Sequence, residues 1–175
     1  MIETVPEIID KPLTPEELGE KYRRMCDDPY FANIPGKLEL DTWGRIVMSP
    51  ASNYHGGVQA TLSHRLFELG GKTFVEASVA TSAGLFVPDV AWASAEFMAK
   101  YGNETPFTRA PELCIEVASP SNSRKELNEK IAAYLATGAT EAWIVFPQSR
   151  RIDVYGKEGS LERSAYAIDL HGLFD

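Results

Sequence analysis

The sequence predicts a single α/β domain organised around a mixed β-sheet. Strand-like and helical patterns alternate along the chain, and a strand–helix–strand unit covers residues 113–146. The length of 175 residues is close to that of one domain, at roughly 150 residues each. We therefore predict one domain over residues 14–175, preceded by an extended lead-in at residues 1–13, where Pro6 and Pro12 limit regular structure.

The first part of the chain predicts a helix followed by a β-hairpin. Residues 14–17 combine an N-cap threonine, a proline at the first helical position and a glutamate at the third, so a helix should run to about Asp28. Residues 37–41 and 45–48 alternate on either side of a turn, which is typical of a hairpin.

The middle of the chain predicts a second helix and two strands. The helix begins at Ser52 or Asn53, carries an apolar stripe and ends at the two glycines 70–71. Residues 73–81 and 85–93 then have strand-like patterns and are separated by a short turn.

The last part of the chain supplies the strand–helix–strand unit. A short helix over residues 95–101 and a polar loop lead to a buried strand at 113–118. A helix follows over residues 124–137 and is ended by a glycine. Residues 141–146 and 151–155 predict a closing hairpin.

The composition excludes several classes of protein. With 44% hydrophobic and 24% charged residues, the chain resembles an average globular domain and not a disordered or collagen-like one. It has no apolar run near the ~20 residues of a membrane span and no signal-peptide pattern at its N-terminus. Cys26 and Cys114 lack metal-binding or redox spacing, so we expect both to be buried, reduced thiols. We therefore expect a cytoplasmic protein with no membrane partner.

The distribution of charge matters more than the net charge of −8. Residues 1–41 contain ten acidic and five basic residues, whereas residues 42–175 contain fifteen and twelve. The acidic total argues against simple electrostatic binding of nucleic acid. The nearly balanced remainder still allows a locally basic surface.

Two acidic residues inside apolar segments are the strongest chemical signal. Asp89 and Glu116 each interrupt a strand-like apolar run, and a buried carboxylate is costly unless it is paired, hydrogen-bonded or bound to a metal. Together they form a candidate site for Mg²⁺ or Mn²⁺, which favour oxygen ligands. The implied reaction is metal-assisted attack of water on a phosphodiester. The alternative is that each carboxylate lies on the exposed face of a strand.

Lys130 adds a candidate cation. On the predicted helix it lies about 60° from Leu127, the centre of the apolar stripe, so its ammonium is able to extend towards Glu116. There it would orient the attacking water or stabilise charge on the phosphate. The alternative is a solvated lysine that pairs with Glu126.

An ordered series of short motifs runs through most of the chain. Its members are residues 38–40, Gly44, residues 46–50, His55, residues 88–89, residues 116–121, Lys130, Tyr134, Gly138 and residues 141–145. This series resembles the Uma-two family of predicted restriction endonucleases, within the PD-(D/E)XK nuclease superfamily, over roughly residues 14–147. The resemblance implies a restriction-endonuclease-like fold, with a mixed central β-sheet flanked by helices.

The resemblance also implies roles for individual residues. Asp89 and Glu116 would bind Mg²⁺, or Mn²⁺, with the backbone carbonyl of Val117 as a further ligand. Glu39 matches an early acidic residue of the family and would complete the catalytic set together with Lys130.

This sequence departs from the wider superfamily pattern at two places. Superfamily members usually carry the lysine two residues after the acid, where this chain has Ala118, and Lys130 matches the family's displaced lysine. Phe146 stands where the family often has an aspartate.

His55 and Gln59, one helical turn apart, either face the site or form local hydrogen bonds.

The sequence thus predicts a Mg²⁺-dependent endonuclease acting on nucleic acid, with DNA as the favoured substrate, and so an endodeoxyribonuclease. Two alternatives stay open. One is a catalytically silent interaction protein that keeps the nuclease fold, and the other is hydrolysis of a different phosphoester. We expect the nuclease to be a homodimer, and the same holds for the silent interaction protein.

Overall fold

The computed structural model describes residues 11–31, 34, 36–49 and 51–175. The predicted lead-in at residues 1–13 lies outside the described residues except for residues 11–13, which have no regular structure. Pro50, in the motif at residues 46–50, also lies outside them.

The helices of the described part are α1 (Pro15–Asp27), α2 (Asn53–Phe67), α3 (Ala95–Tyr101) and α4 (Arg124–Thr137). Its strands are β1 (Glu39–Asp41), β2 (Ile46–Val47), β3 (Lys72–Val75), β4 (Val79–Thr81), β5 (Gly84–Phe86), β6 (Val90–Ala93), β7 (Leu113–Val117), β8 (Glu141–Phe146), β9 (Arg151–Gly156) and β10 (Gly159–Leu161).

The strands form two sheets, and the larger one is mixed. Six strands make up the larger sheet, in the order β10-β9-β8-β7-β6-β3, and four make up the smaller sheet, in the order β2-β1-β5-β4. In the larger sheet β7 and β8 are parallel, and α4 connects them as a crossover helix, whereas the other neighbours are antiparallel. The predicted α/β class with a mixed sheet is therefore confirmed.

The helices begin and end where local chemistry favours it. At the start of α1, the Thr14 N–H donates to Glu17 Oε2 at 2.8 Å and the Glu17 N–H donates to Thr14 Oγ1 at 3.3 Å, which is a capping box. A second capping box joins Ser123 and Glu126 at the start of α4. That helix ends at Gly138, whose φ of 117° disfavours a residue with a side chain.

The two middle strands were predicted as continuous, and that prediction is wrong. Residues 73–81 divide into β3 and β4, and residues 85–93 divide into β5 and β6. Glu76 interrupts the first segment with a φ of 60°, and Pro88, which has no N–H to donate, lies in the break of the second. Each segment therefore contributes to both sheets. The sequence analysis also did not predict β10.

The core has helices on both faces of the larger sheet. Side chains of α2 pack on one face and side chains of α4 on the other, while α1 packs on the smaller sheet. The first face buries Val58, Leu62, Leu66, Leu113, Ile115, Val117, Trp143, Val145 and Leu173. The second buries Leu127, Ile131, Tyr134, Cys114 and Ile144 among others.

The two cysteines differ in exposure. Cys114 is buried as expected, but Cys26 is exposed, so that prediction is wrong for Cys26. Met25 occupies the buried side of α1, and the next residue points about 100° away from it. In the described part of the chain, no helix combines the length and hydrophobicity needed to cross a membrane.

Residues 164–174 close the first face of the sheet. The buried carboxylate of Glu141 accepts hydrogen bonds from Ser164 Oγ at 2.6 Å, from the Ala165 N–H at 2.7 Å and from Trp143 Nε1 at 2.9 Å. Leu173 then packs into the core beside α2. This segment is therefore part of the domain's core.

We expect Leu173→Ala to lower the free energy of unfolding by about 2–5 kcal/mol, because the change leaves a cavity in a packed core. Urea denaturation measures the effect. Leu161→Ala is the matched control, since Leu161 is 37% exposed and should lose far less stability. Equal losses in the two variants would contradict a core role for residues 164–174.

Candidate active site

Three acidic side chains from different elements converge on one cavity. Glu39, Asp89 and Glu116 are all buried, and they line a cavity of about 510 Å³. Val117 and Lys130 line the same cavity. The residues that the sequence analysis assigned to the site are therefore neighbours in space.

The strand pairing explains why two of these carboxylates meet. In the antiparallel pair of β6 and β7, Val90 lies opposite Ile115, so continuing the register places Asp89 opposite Glu116. The Val117 N–H donates to Asp89 Oδ2 at 2.7 Å, which fixes the aspartate against the end of β7.

Glu39 reaches the site from the smaller sheet. Its Oε1 accepts a hydrogen bond from the Val87 N–H at 2.8 Å, two residues before Asp89. The same oxygen accepts from Lys130 Nζ at 2.7 Å. Glu39 therefore ties the chain between β5 and β6 to the lysine on α4.

The ammonium of Lys130 lies between two carboxylates. Besides its contact with Glu39, its Nζ is 3.5 Å from Glu116 Oε2. Glu126, the alternative partner, instead accepts from the Ser123 N–H at 2.8 Å in the helix cap. The side chain of Lys130 thus extends into the cavity rather than along the helix surface.

Lys37 is a second site lysine that the sequence analysis missed. Its Nζ donates to Asp89 Oδ1 at 2.9 Å and to the Val87 carbonyl at 2.8 Å, and it lies 4.0 Å from both Glu39 Oε1 and Glu116 Oε2. The available signal was its position two residues before Glu39, since residues at that spacing share one face of an extended segment.

Tyr134 completes the surroundings of Glu116. Its hydroxyl donates to Glu116 Oε1 at 2.6 Å, and the whole side chain is buried. It lies four residues after Lys130, so both side chains leave α4 on the same face. The sequence analysis named Tyr134 only as a member of the motif series.

His55 and Gln59 face the site, not just their own helix. His55 Nε2 lies 3.4 Å from Asp89 Oδ1, and Gln59 Nε2 donates to the same oxygen at 3.3 Å. Gln59 Nε2 also lies 3.3 Å from the backbone carbonyl of Asp89. Together they hold Asp89 from the side of α2.

The surroundings shift the pKa values of Asp89 and Glu116 in opposite directions. Burial alone would raise the pKa of Asp89, but contacts with His55 and the ammonium of Lys37 lower this pKa to about 2. Burial is the strongest influence on Glu116 and raises its pKa, because the lowering effect of Lys130 and Lys37 does not offset burial together with the negative charges of Asp89 and Glu39. Asp89 is therefore ionised at neutral pH.

The pKa of Lys37 follows from the same charges. Burial favours the neutral amine and so acts to lower its pKa. The three surrounding carboxylates act more strongly, and the pKa lies above its ordinary value. Lys37 is therefore a buried, positively charged group.

The donor set fits a divalent cation. Three carboxylates share two ammonium groups, so full ionisation would leave one excess negative charge in the cavity. Among the described residues, no three His, Cys, Asp or Glu side chains form a complete metal cage. Mg²⁺ does not need one, because it typically binds one or two protein carboxylates and keeps water ligands.

We expect Tyr134→Phe to lower the free energy of unfolding by about 1–3 kcal/mol, because a buried carboxyl oxygen of Glu116 loses its donor. Guanidinium denaturation measures the loss. Tyr54→Phe serves as the control, because Tyr54 is 44% exposed and should show little change. A Tyr134→Phe protein as stable as the wild type would mean that this hydrogen bond contributes nothing to the site.

Comparisons with known proteins identify relatives of this chain. A family model described as "Uma2: Putative restriction endonuclease" matches residues 20–171. A solved structure described as "a putative nuclease belonging to DUF820", from Anabaena variabilis, has 20% sequence identity and a TM-score of 0.64, covering 86% of this chain and 83% of that chain. No curated protein matches. At that identity the structural likeness shows the fold alone, and the predicted restriction-endonuclease-like fold is confirmed.

Proposed function

Because this chain belongs to the Uma2 family, we propose that it is a Mg²⁺-dependent nuclease that hydrolyses phosphodiester bonds of DNA. One observation carries the proposal. Three buried carboxylates and two lysines, drawn from separate elements, converge on one cavity. Oxygen ligands for a divalent cation beside ammonium groups are what hydrolysis of a phosphate diester requires.

Asp89 and Glu116 are the residues that would hold the metal, with the backbone carbonyl of Val117 as a further ligand. When bound, Mg²⁺ or Mn²⁺ would polarise a phosphoryl oxygen and lower the pKa of a bound water. The two carboxylates lie opposite each other at the junction of β6 and β7, as this role requires.

Lys130 acts on the attacking water or on the charge of the phosphate. Glu39 holds its ammonium at 2.7 Å, and Glu116 lies 3.5 Å away, so the group stays at the cavity wall next to the proposed metal ligands. Glu39 is thereby a positioning residue for Lys130. A positive group fixed beforehand stabilises developing negative charge without reorganisation during the reaction.

Lys37 balances the carboxylates before metal and substrate bind. Its ammonium is within 4.0 Å of all three acidic side chains, whereas the ammonium of Lys130 pairs with Glu39 and Glu116. A divalent cation on Asp89 would therefore compete with Lys37 for the same oxygen atoms. His55 and Gln59 position Asp89 from α2.

The decisive experiment is cleavage of supercoiled plasmid and single-stranded DNA with Mg²⁺ or Mn²⁺. We expect Asp89→Asn to reduce cleavage by at least about 100-fold, the scale on which loss of one charge-stabilising group acts. The variant keeps the size of the side chain but turns an amide NH2 group towards some of the donors around Asp89, so its thermal unfolding must match that of the wild type before the loss is assigned to the site.

Asp175→Asn, purified identically, is the control, because Asp175 is exposed and pairs only loosely with Arg150 at 3.9 Å. Equal cleavage by wild type and Asp89→Asn would indicate a contaminating nuclease. No cleavage by any of the proteins would favour the catalytically silent, homodimeric scaffold, which the net charge of −8 also favours. Cleavage of small phosphodiesters but not DNA would favour another phosphoester substrate.

Metal binding can be measured without turnover. We expect Lys37→Met to bind Mn²⁺ about tenfold more tightly than the wild type, equivalent to ~1.4 kcal/mol, because an ammonium no longer competes for the carboxylates. Isothermal titration calorimetry gives both affinities. Lys125→Met removes a solvent-exposed lysine of the same charge and should change nothing. Unchanged or weaker Mn²⁺ binding by Lys37→Met would refute the competition.

A further inference from the structure

A second group of charged side chains lies at the same edge of the larger sheet as the active site. In the parallel pair of β7 and β8, Val117 lies opposite Val145. Phe146, the last residue of β8, therefore follows at the edge where Glu116 and Val117 face the cavity. A strand that extends from the cavity along that edge would pass close to Phe146.

Two arginines lie over the ring of Phe146. The guanidinium carbon of Arg124 lies 5.0 Å from the ring centroid, and that of Arg151 lies 4.7 Å from it. Arg124 is the first residue of α4, and Arg151 is the first residue of β9. We call these three residues the arginine clamp.

The clamp is fixed in place by groups beneath it. Arg124 Nη2 donates to Asp153 Oδ2 at 2.8 Å and to the Tyr155 hydroxyl at 2.8 Å, and Arg151 Nε lies 3.0 Å from Asp153 Oδ1. Two positive charges thus share one carboxylate, which leaves a net positive charge. The arginine side chains remain 45% and 57% exposed, so neither is enclosed by the protein.

A short, ordered loop connects the clamp to the active-site cavity. Ser119 and Asn122 line the cavity, and Asn122 Oδ1 accepts from the Ser119 N–H at 3.0 Å and from its hydroxyl at 2.8 Å. Ser123 follows as the N-cap of α4, and Arg124 is next. The cavity wall and the clamp are therefore parts of one rigid connection.

We propose that the arginine clamp binds the phosphodiester backbone of a nucleic acid strand beyond the phosphate that lies in the cavity. This inference rests on the proposed function and adds a second contact to it. The net charge of the chain is −8, so the excess positive charge of these two arginines opposes the overall charge of the protein. Arginine binds phosphate through a planar fork of donors, and each strand of a duplex presents one phosphate per ~3.4 Å of helix axis.

Fluorescence anisotropy with a labelled DNA duplex tests the clamp, with Ca²⁺ replacing Mg²⁺ and salt varied. We expect Arg124→Gln and Arg151→Gln each to weaken binding severalfold. Each should also reduce the slope of log affinity against log salt by about 0.9, the value for one lost phosphate contact. The two variants come from different elements, so misfolding of one leaves the other informative.

Arg163→Gln is the matched control. Arg163 is exposed and precedes Ser164, which is bonded to Glu141 at the opposite end of β8, so this variant removes the same charge away from the clamp. If all three substitutions weakened DNA binding equally, the clamp would be refuted, because the loss of one positive charge anywhere on the protein would then explain the effect.

Hydrolysis of a small phosphodiester separates the clamp from the catalytic site. Such a substrate, for example bis(p-nitrophenyl) phosphate, carries a single phosphate and has none left for the clamp when that phosphate lies in the cavity, so Arg124→Gln and Arg151→Gln should leave its rate unchanged. A wild type that neither binds DNA nor hydrolyses the small substrate would refute the proposed function, and the clamp with it. A wild type that hydrolyses the small substrate and binds DNA, with unaltered binding in both clamp variants, would refute the clamp alone.

Discussion

The burial of three neighbouring carboxylates is the constraint on which this structure depends. Like charges repel, and an uncompensated carboxylate in the interior is costly. Glu39, Asp89 and Glu116 are tolerated because backbone N–H groups, the hydroxyl of Tyr134 and two ammonium groups surround them. These partners come from both sheets and from α4. Any change that separates the two sheets would therefore also leave buried charge without a partner.

The two sheets meet because the middle segments of the chain change direction. Glu39 belongs to β1 of the smaller sheet and Glu116 to β7 of the larger one, while Asp89 lies on the connection from β5 to β6. The interruption at Pro88 allows that connection to pass from one sheet to the other, and the interruption at Glu76 does the same for the connection from β3 to β4. A single straight strand there would have kept the carboxylates in separate layers. The irregular backbone is thus a condition of the site.

Sequence reasoning succeeded where the signal is local. The helix caps, the apolar stripes and the acids Asp89 and Glu116, which are buried as the apolar segments around them indicated, each depend on a few neighbouring residues. Lys37 was missed because a lysine before a short strand is normally solvated, and only the fold brings Asp89 to it. Cys26 was predicted to be buried but is exposed, because consecutive residues of a helix point in different directions and the buried one here is Met25. The division of the middle strands depends on pairing between distant segments, which no local pattern contains.

The two lysines reach the carboxylates from unrelated positions, one before β1 and one in the middle of α4. Each lysine has a long, flexible side chain. The position of its ammonium group is therefore less dependent on the position of the residue in the sequence than is the position of a carboxylate on a strand. Evolution is then free to relocate the lysine while the acids stay where they are. Sequence searches that demand a fixed interval between acid and lysine will overlook proteins of this kind. Searches based on the paired acids and the crossover helix would recover them.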